Sequence, residues 1–283
     1  MKTIKAAAVQ VCADLDREKN VSKALDIASR ARSDGAEFIC LPEMFACYGP
    51  AKEMVAQAEI IPGPTTHRLS EFAASSGCWL VGGSIFEKAA EGKVRNACPV
   101  FSPEGKLAAV YRKMHLFSIN IPERVNYRES DFVIPGDQTV AVRAPFATVG
   151  LSICYDLRFP ELYRNLMDQN CEVLCVPAAF AMETGRDHWG VLLAARAIEN
   201  QSFVIAANQW GDHPRGLRSF GRSMIVDPWG VPLAVAQDGE GFCSAVLDAG
   251  RLAQVRGSLP ALSHRRQWPP RAGACKGKRS ESP

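Results

Sequence analysis

Short apolar runs alternate with longer amphipathic stretches along this chain. Residues 4–11 form a brief, mostly apolar run that predicts a buried strand, and residues 16–33 place Val21, Leu25, Ala28 and Ala31 at helical spacing. Gly35 closes that helix, and residues 37–41 read as a second short strand. The pattern continues with a helix over 65–76, a strand over 79–84, and a hairpin over 94–110 that turns at Ser102-Pro103-Glu104-Gly105. A strand over 148–153, a helix over 160–169 and a strand over 173–176 follow. A helix over 188–200 and a strand over 203–207 come next. Further strands fall within 222–235, around a turn at Asp227-Pro228-Trp229-Gly230, and at 241–247. This mixture predicts an α/β fold in which helices cover sheets. There is no internal repeat and no linker long enough to divide the chain. We therefore expect one domain over 1–266, followed by a Pro-, Gly- and charge-rich tail over 267–283 that is expected to be disordered.

The 283 residues are 47% apolar and 22% charged, which suits a soluble globular protein able to fold without disulfides or metals. The net charge of +3 is too balanced to argue for nucleic acid or an anionic membrane. The basic tail reads first as a solvated end, with a binding patch as the alternative. No apolar run approaches the ~18 residues of a membrane span, and Gln10, Asp14 and Asp16 spoil the signal-peptide reading of the N-terminus. Ten cysteines without an export signal predict thiols in a reducing cytoplasm. Their spacing, with five scattered histidines, offers no metal set.

The segment Ile153-Cys154-Tyr155-Asp156-Leu157-Arg158-Phe159-Pro160 carries the most chemistry. An apolar strand stops at Cys154 and Pro160 is placed to open a helix, so the thiol would project from a strand-to-helix bend beside free backbone N–H groups. A buried cysteine filling the core is the bland alternative, weakened by the polar neighbours Asp156, Arg158 and Glu161. Two other apolar strands end in charge, at Glu43 and at Lys113. Each alone reads as a surface charge closing a strand. Together they match what a cysteine nucleophile needs: a carboxylate base in a half-buried pocket, and a cation that lowers the thiol pKa and offsets negative charge on a substrate oxygen.

With those residues in view, L-P-E-M-F around Glu43, Y-R-K-M-H-L-F around Lys113 and C-Y-D-L-R-F-P-E-L from Cys154 resemble the Glu–Lys–Cys set of the nitrilase superfamily of carbon–nitrogen hydrolases. T-G-R-D-H-W at 184–189, A-R-A-I-E-N-Q at 195–201 and S-M-I-V-D-P-W-G at 223–230 extend the likeness across about residues 3–266. Within the superfamily the chain is most similar to the Nit-type amidases, the group containing ω-amidase and deaminated-glutathione amidase. The resemblance implies an αββα four-layer sandwich and pairing into homodimers. It also implies a second glutamate, for which Glu129 in Y-R-E-S fits best and Glu123 competes.

On this reading Glu43 takes the thiol proton as Cys154 attacks a carboxamide carbon of a small molecule. Lys113 and the backbone N–H of Tyr155 hold the oxyanion. Ammonia leaves, and a thioester on Cys154 is hydrolysed by water activated by Glu43, with Glu129 positioning substrate and water. No cofactor is required, because the chain supplies nucleophile, base and electrophile. Amides hydrolyse slowly, so positioning worth ~7–11 kcal/mol in favourable cases carries much of the rate. A papain-like protease lacks its signature here, Gly82-Gly83 is not a phosphate loop, and a non-catalytic protein on this fold would be expected to have lost one of the three residues. An N-carbamoyl-amine hydrolase or a nitrilase, using the same three groups, is the runner-up. Ser118, Ile119, Asn120 and Ala194 depart from the Nit-type pattern and bear on the substrate. Arg158 is a candidate for gripping a substrate carboxylate with its planar fork, against an ion pair with Asp156 or Glu161.

Overall fold

A computed structural model describes residues 1–121 and 125–266. Glu123 and the tail 267–283 lie outside the described residues. Within them a seven-stranded and a six-stranded sheet form the body of the fold. The first runs Gly241–Leu247, Ile4–Gln10, Phe38–Cys40, Trp79–Val81, Val94–Phe101, Ile85–Lys88, with Leu107–Arg112 also paired to Val94–Phe101. The second runs Pro232–Val235, Met224–Val226, Phe203–Ala206, Val173–Cys175, Thr148–Leu151, Ala141–Arg143. Each sheet holds a parallel trio: Ile4–Gln10, Phe38–Cys40 and Trp79–Val81 in one, Thr148–Leu151, Val173–Cys175 and Phe203–Ala206 in the other.

Side-chain alternation along these strands generates the layers. Ala6, Ala8, Phe38, Cys40 and Val81 turn toward the other sheet and share a core with Leu151, Val173 and Phe203. Ala7, Val9, Ile39, Leu41 and Leu80 turn outward onto Val21, Ala24 and Ala28 of helix Arg17–Ser33 and Leu69 and Ala73 of helix Pro64–Ser76. Helices Pro160–Asp168 and Met182–Asn200 cover the second sheet through Leu162, Leu166, Trp189 and Leu193. The result is helix, sheet, sheet, helix: the αββα sandwich of the sequence reading. The central strands, among them Ile4–Gln10, Phe38–Cys40, Val94–Phe101, Val173–Cys175 and Phe203–Ala206, are buried on both faces, which is why the sequence shows apolar runs there rather than strict alternation.

Most predicted elements fall within a residue or two of their observed limits, and local chemistry explains it. Asp16 caps its helix by accepting from Lys19 N at 3.1 Å, and Pro160 opens the helix that it was placed to open. The helix predicted from residue 188 instead starts at Met182. Thr184-Gly185 looks like a break, but a Cβ at Gly185 would lie 2.3 Å from Phe220 Cβ, so the glycine lets the first turn pack against strand Arg218–Phe220. The hairpins Ser118–Ile121 with Val125–Arg128, and Trp210–Asp212 with Arg218–Phe220, were not anticipated.

Candidate active site

Glu43 stands just beyond the carboxyl end of Phe38–Cys40, in a turn held tightly against its neighbour. Gly83 adopts φ +60°, and a Cβ there would sit 2.2 Å from the Pro42 carbonyl, so only glycine lets the two turns approach. Met44, next in the chain, is itself left-handed (φ 53°) and donates its N–H to Ser84 Oγ. This sharp turn drives the Glu43 side chain inward, where it is buried rather than half-buried as the sequence suggested. Its Oε1 accepts from Lys113 Nζ at 2.9 Å and Asn96 Nδ2 at 2.8 Å, and its Oε2 from the Ala179 N–H at 2.9 Å.

Lys113 follows Leu107–Arg112 and is buried with its ammonium between two carboxylates. Nζ lies 2.9 Å from Glu43 Oε1 and 3.0 Å from Glu129 Oε2. Glu129 is buried as well, and also accepts from the Phe117 N–H at 2.6 Å. Glu129, the second glutamate that the family likeness favours, thus lies beside Lys113.

Cys154 comes from the other sheet. Thr148–Leu151 ends, Ser152 and Ile153 continue, and Cys154 opens a short 3₁₀ turn, Cys154–Arg158, with φ +48°. A side-chain-bearing residue in this region costs on the order of 1–3 kcal/mol, and its surroundings must hold it there. The fully buried carboxylate of Asp156 does so. Oδ2 accepts from the Ile153 N–H and from Tyr111 Oη, and Oδ1 from the His115 N–H and Nδ1. Cys154 N donates to the Pro177 carbonyl at 2.8 Å. Asp156 thus ties the bend carrying Cys154 to the segment carrying Lys113.

The thiol faces the Glu43 carboxylate and the Ala179 N–H. Burial, reinforced by the negative charge of Glu43 and only partly offset by Lys113, pushes the Cys154 thiol well above its usual range. The expectation that Lys113 would leave a lowered thiol pKa is corrected on this point, since desolvation outweighs the cation. Burial by itself would lower Lys113, but Glu129 and Glu43 outweigh it and hold the ammonium charged. The resting site therefore contains a neutral thiol beside a carboxylate, with a fixed cation alongside. Such a set can move a proton from sulfur to carboxylate as a bond forms at sulfur.

The Tyr155 N–H, next along the 3₁₀ turn, has no acceptor among the described residues and is free to donate. Arg158 lies at the outer side of the bend, its guanidinium 5.2 Å from the Phe180 ring centre and 5.9 Å from that of Tyr155. Its one polar partner among the described residues is His188 Nδ1, at 3.2 Å. Neither Asp156, which is occupied by Tyr111 and His115, nor Glu161 pairs with it, so the ion-pair alternative is not what forms. Sequence reasoning missed Asn96, the Ala179 N–H, and the phenols of Tyr48 and Tyr127, which both feel the charge of Glu43. An asparagine inside the apolar strand Val94–Phe101 was the one available signal. Backbone donors leave none.

The carbon-nitrogen hydrolase family matches over residues 5–257. The chain is 43% identical over 269 residues to a deaminated glutathione amidase of Synechocystis, covering 94% of this chain and 99% of that one. It is 38% identical over 266 residues to human omega-amidase NIT2, covering 94% and 96%. Among solved structures, the NitFhit protein of C. elegans superposes with a TM-score of 0.88 at 35% identity, over 94% of this chain and 66% of that one.

Proposed function

The chain belongs to the carbon–nitrogen hydrolase family and is an amidase acting on non-peptide C–N bonds, and from that premise we propose how it works and on what. Cys154 attacks the carboxamide carbon of a small molecule while Glu43 accepts its proton. Lys113 and the Tyr155 N–H stabilise the oxyanion. Protonated Glu43 passes the proton to departing ammonia, leaving a thioester on Cys154. Water deprotonated by Glu43 then releases the acid, and Glu129 orients substrate and water. The observation that carries this reading is the buried Glu43–Lys113 contact at 2.9 Å, with the thiol against the same carboxylate. Residues 1–266 act as one domain on this proposal. Among the described residues no helix is long and apolar enough to cross a membrane, and nine cysteines are free thiols, which supports a cytoplasmic enzyme.

The substrate we propose is the ω-amide of a short carboxylic acid, as the name omega-amidase suggests for one relative. Arg158 supports it: a guanidinium near the site with no carboxylate partner of its own among the described residues is available to one on a ligand. The test measures ammonia release from succinamate- and glutaramate-type substrates and from uncharged amides of equal length, in wild type and Arg158→Lys. The variant is expected to lose about tenfold or more in kcat/KM on the acids and little on the neutral amides, as for loss of a bidentate pair. An equal loss on both would leave Arg158 a support of the bend only.

We also propose a symmetric homodimer, the commonest arrangement of soluble oligomers. Val191 and Ile198 are exposed on helix Met182–Asn200 with Trp229 exposed nearby, an apolar face suited to burial. Sedimentation equilibrium at micromolar concentration should give twice the 30.8 kDa chain mass. A mass near that of one chain would rule the dimer out.

A further inference from the structure

Asn96 sits in strand Val94–Phe101 at 2% exposure, against both carboxylates of the site and the backbone of Lys113. Its Nδ2 donates to Glu43 Oε1 at 2.8 Å and lies 3.5 Å from Glu129 Oε1, and its backbone carbonyl accepts from the Lys113 N–H at 2.9 Å. Its Oδ1 is buried with no hydrogen-bond partner. Turning the amide over would not help, because Oδ1 would then face two carboxylates and the NH2 would be orphaned in its place. A buried polar atom left unsatisfied costs stability, about 1–3 kcal/mol, and an apolar residue of similar size would avoid it. The position thus keeps an amide at a cost, and what the amide supplies is its two N–H groups toward the carboxylates.

We infer that Asn96 is a positioning residue that keeps Glu43 ionised and aimed at the Cys154 thiol. Five other groups face Glu43: the Lys113 ammonium, the Ala179 N–H, the Cys154 thiol, and the Tyr48 and Tyr127 phenols. Glu129 competes for the same lysine. Lys113 spreads its N–H groups over both carboxylates, so Glu43 Oε1 depends on Asn96 for its second donor. With that donor the anion is favoured and the carboxylate is fixed by three contacts, from Lys113, Asn96 and the Ala179 N–H. Without it, Glu43 takes up a proton more readily and turns toward Lys113.

This inference rests on the reading of Glu43 as the base for Cys154, and the alkylation arm of its test does not require the substrate to be known. The alkylation rate of Cys154 by iodoacetamide is followed across pH by peptide mass spectrometry in the full chain, beside ammonia release. In Asn96→Ala the acid limb of the alkylation profile is expected to move upward by about one pH unit, and kcat to fall roughly ten- to a hundredfold, as for loss of a hydrogen bond to a charged group. KM should stay within about twofold, since Asn96 is placed behind the base rather than against the ligand. Asn96→Asp keeps the shape and covers the case in which the alanine variant does not fold. Its carboxylate faces two others, so its acid limb should also move upward, with alkylation at neutral pH slower than wild type by about tenfold or more and the gap closing as the pH rises. An unmoved acid limb in either folded variant, or a loss confined to KM or to melting temperature, overturns the inference. A shifted alkylation profile in a protein that releases ammonia from no amide would instead overturn the amidase substrate reading and leave Asn96 in its role.

Discussion

Replacing Cys154 by alanine is expected to lower ammonia release to below about a thousandth of wild type, the scale on which removal of a covalent nucleophile acts. The rest of the site cannot substitute. Glu43 is buried against Lys113 and Asn96, and His115, which shares Asp156 with the bend, is taken up by that carboxylate and stacked on Phe159 at 3.8 Å. The fold should survive, because the left-handed turn is held by Asp156 and by Cys154 N, neither of which needs the sulfur. Alanine also has the same Cβ at φ +48°. Stability is therefore expected to change by no more than about 1 kcal/mol. Circular dichroism with ammonia detection checks both halves. Residual turnover above about a thousandth in a normally folded variant would remove Cys154 from the chemistry.

Lys113→Met is expected to lose both activity and stability. The methionine fills similar volume but leaves Glu43 and Glu129 buried with no cation between them. Removing one member of a buried ionic set costs about 3–5 kcal/mol, because the remaining charge is stranded. Urea or thermal unfolding near neutral pH should show this loss. The deficit should narrow as the pH falls through the carboxylate range, since protonating either glutamate removes uncompensated charge. The sign follows from proton counting: above that range the unfolded variant gains nothing by ionising in water, while the folded variant bears the stranded charges. A variant as stable as wild type at neutral pH would mean that the two carboxylates are already sharing a proton, and Lys113 would lose its assigned electrostatic role.

How much of this was legible beforehand depends on what each feature is made of. The strands at 4–11, 37–41 and 203–207 announced themselves because both their faces are buried, and an apolar run is the simplest pattern to read. Glu43, Lys113 and Cys154 were legible because each interrupts such a run at its end, where the chain must turn and a charge or thiol needs a reason. Glu129 was found through a family likeness and its Y-R-E-S setting, not through periodicity, which treats it no differently from Glu123. Asn96 was hidden inside its strand, where one polar residue looks like noise until its partners arrive from positions 43 and 129. The Met182 start was hidden for the opposite reason. Gly185 reads locally as a breaker, and its true role is set by Phe220, which is distant in sequence. The fate of Arg158 was equally unreadable, because its two candidate partners were adjacent while its actual neighbour is His188.

The placement of Cys154 and Glu43 on different sheets has a consequence for the life of the chain before it is finished. During synthesis the segments bearing Glu43, Asn96 and Lys113 emerge before Cys154, but their sheet is complete only once strand Gly241–Leu247 is added, and until then Cys154 is an ordinary thiol among several. Nothing distinguishes that sulfur until the second sheet docks and Asp156 closes onto Tyr111 and His115. On the proposed mechanism, nucleophilic character is therefore a property of the docked pair of sheets and not of either half. The carboxylate that would take the thiol proton reaches the sulfur only when both sheets are in place, so the proposed chemistry begins only in the act of becoming folded.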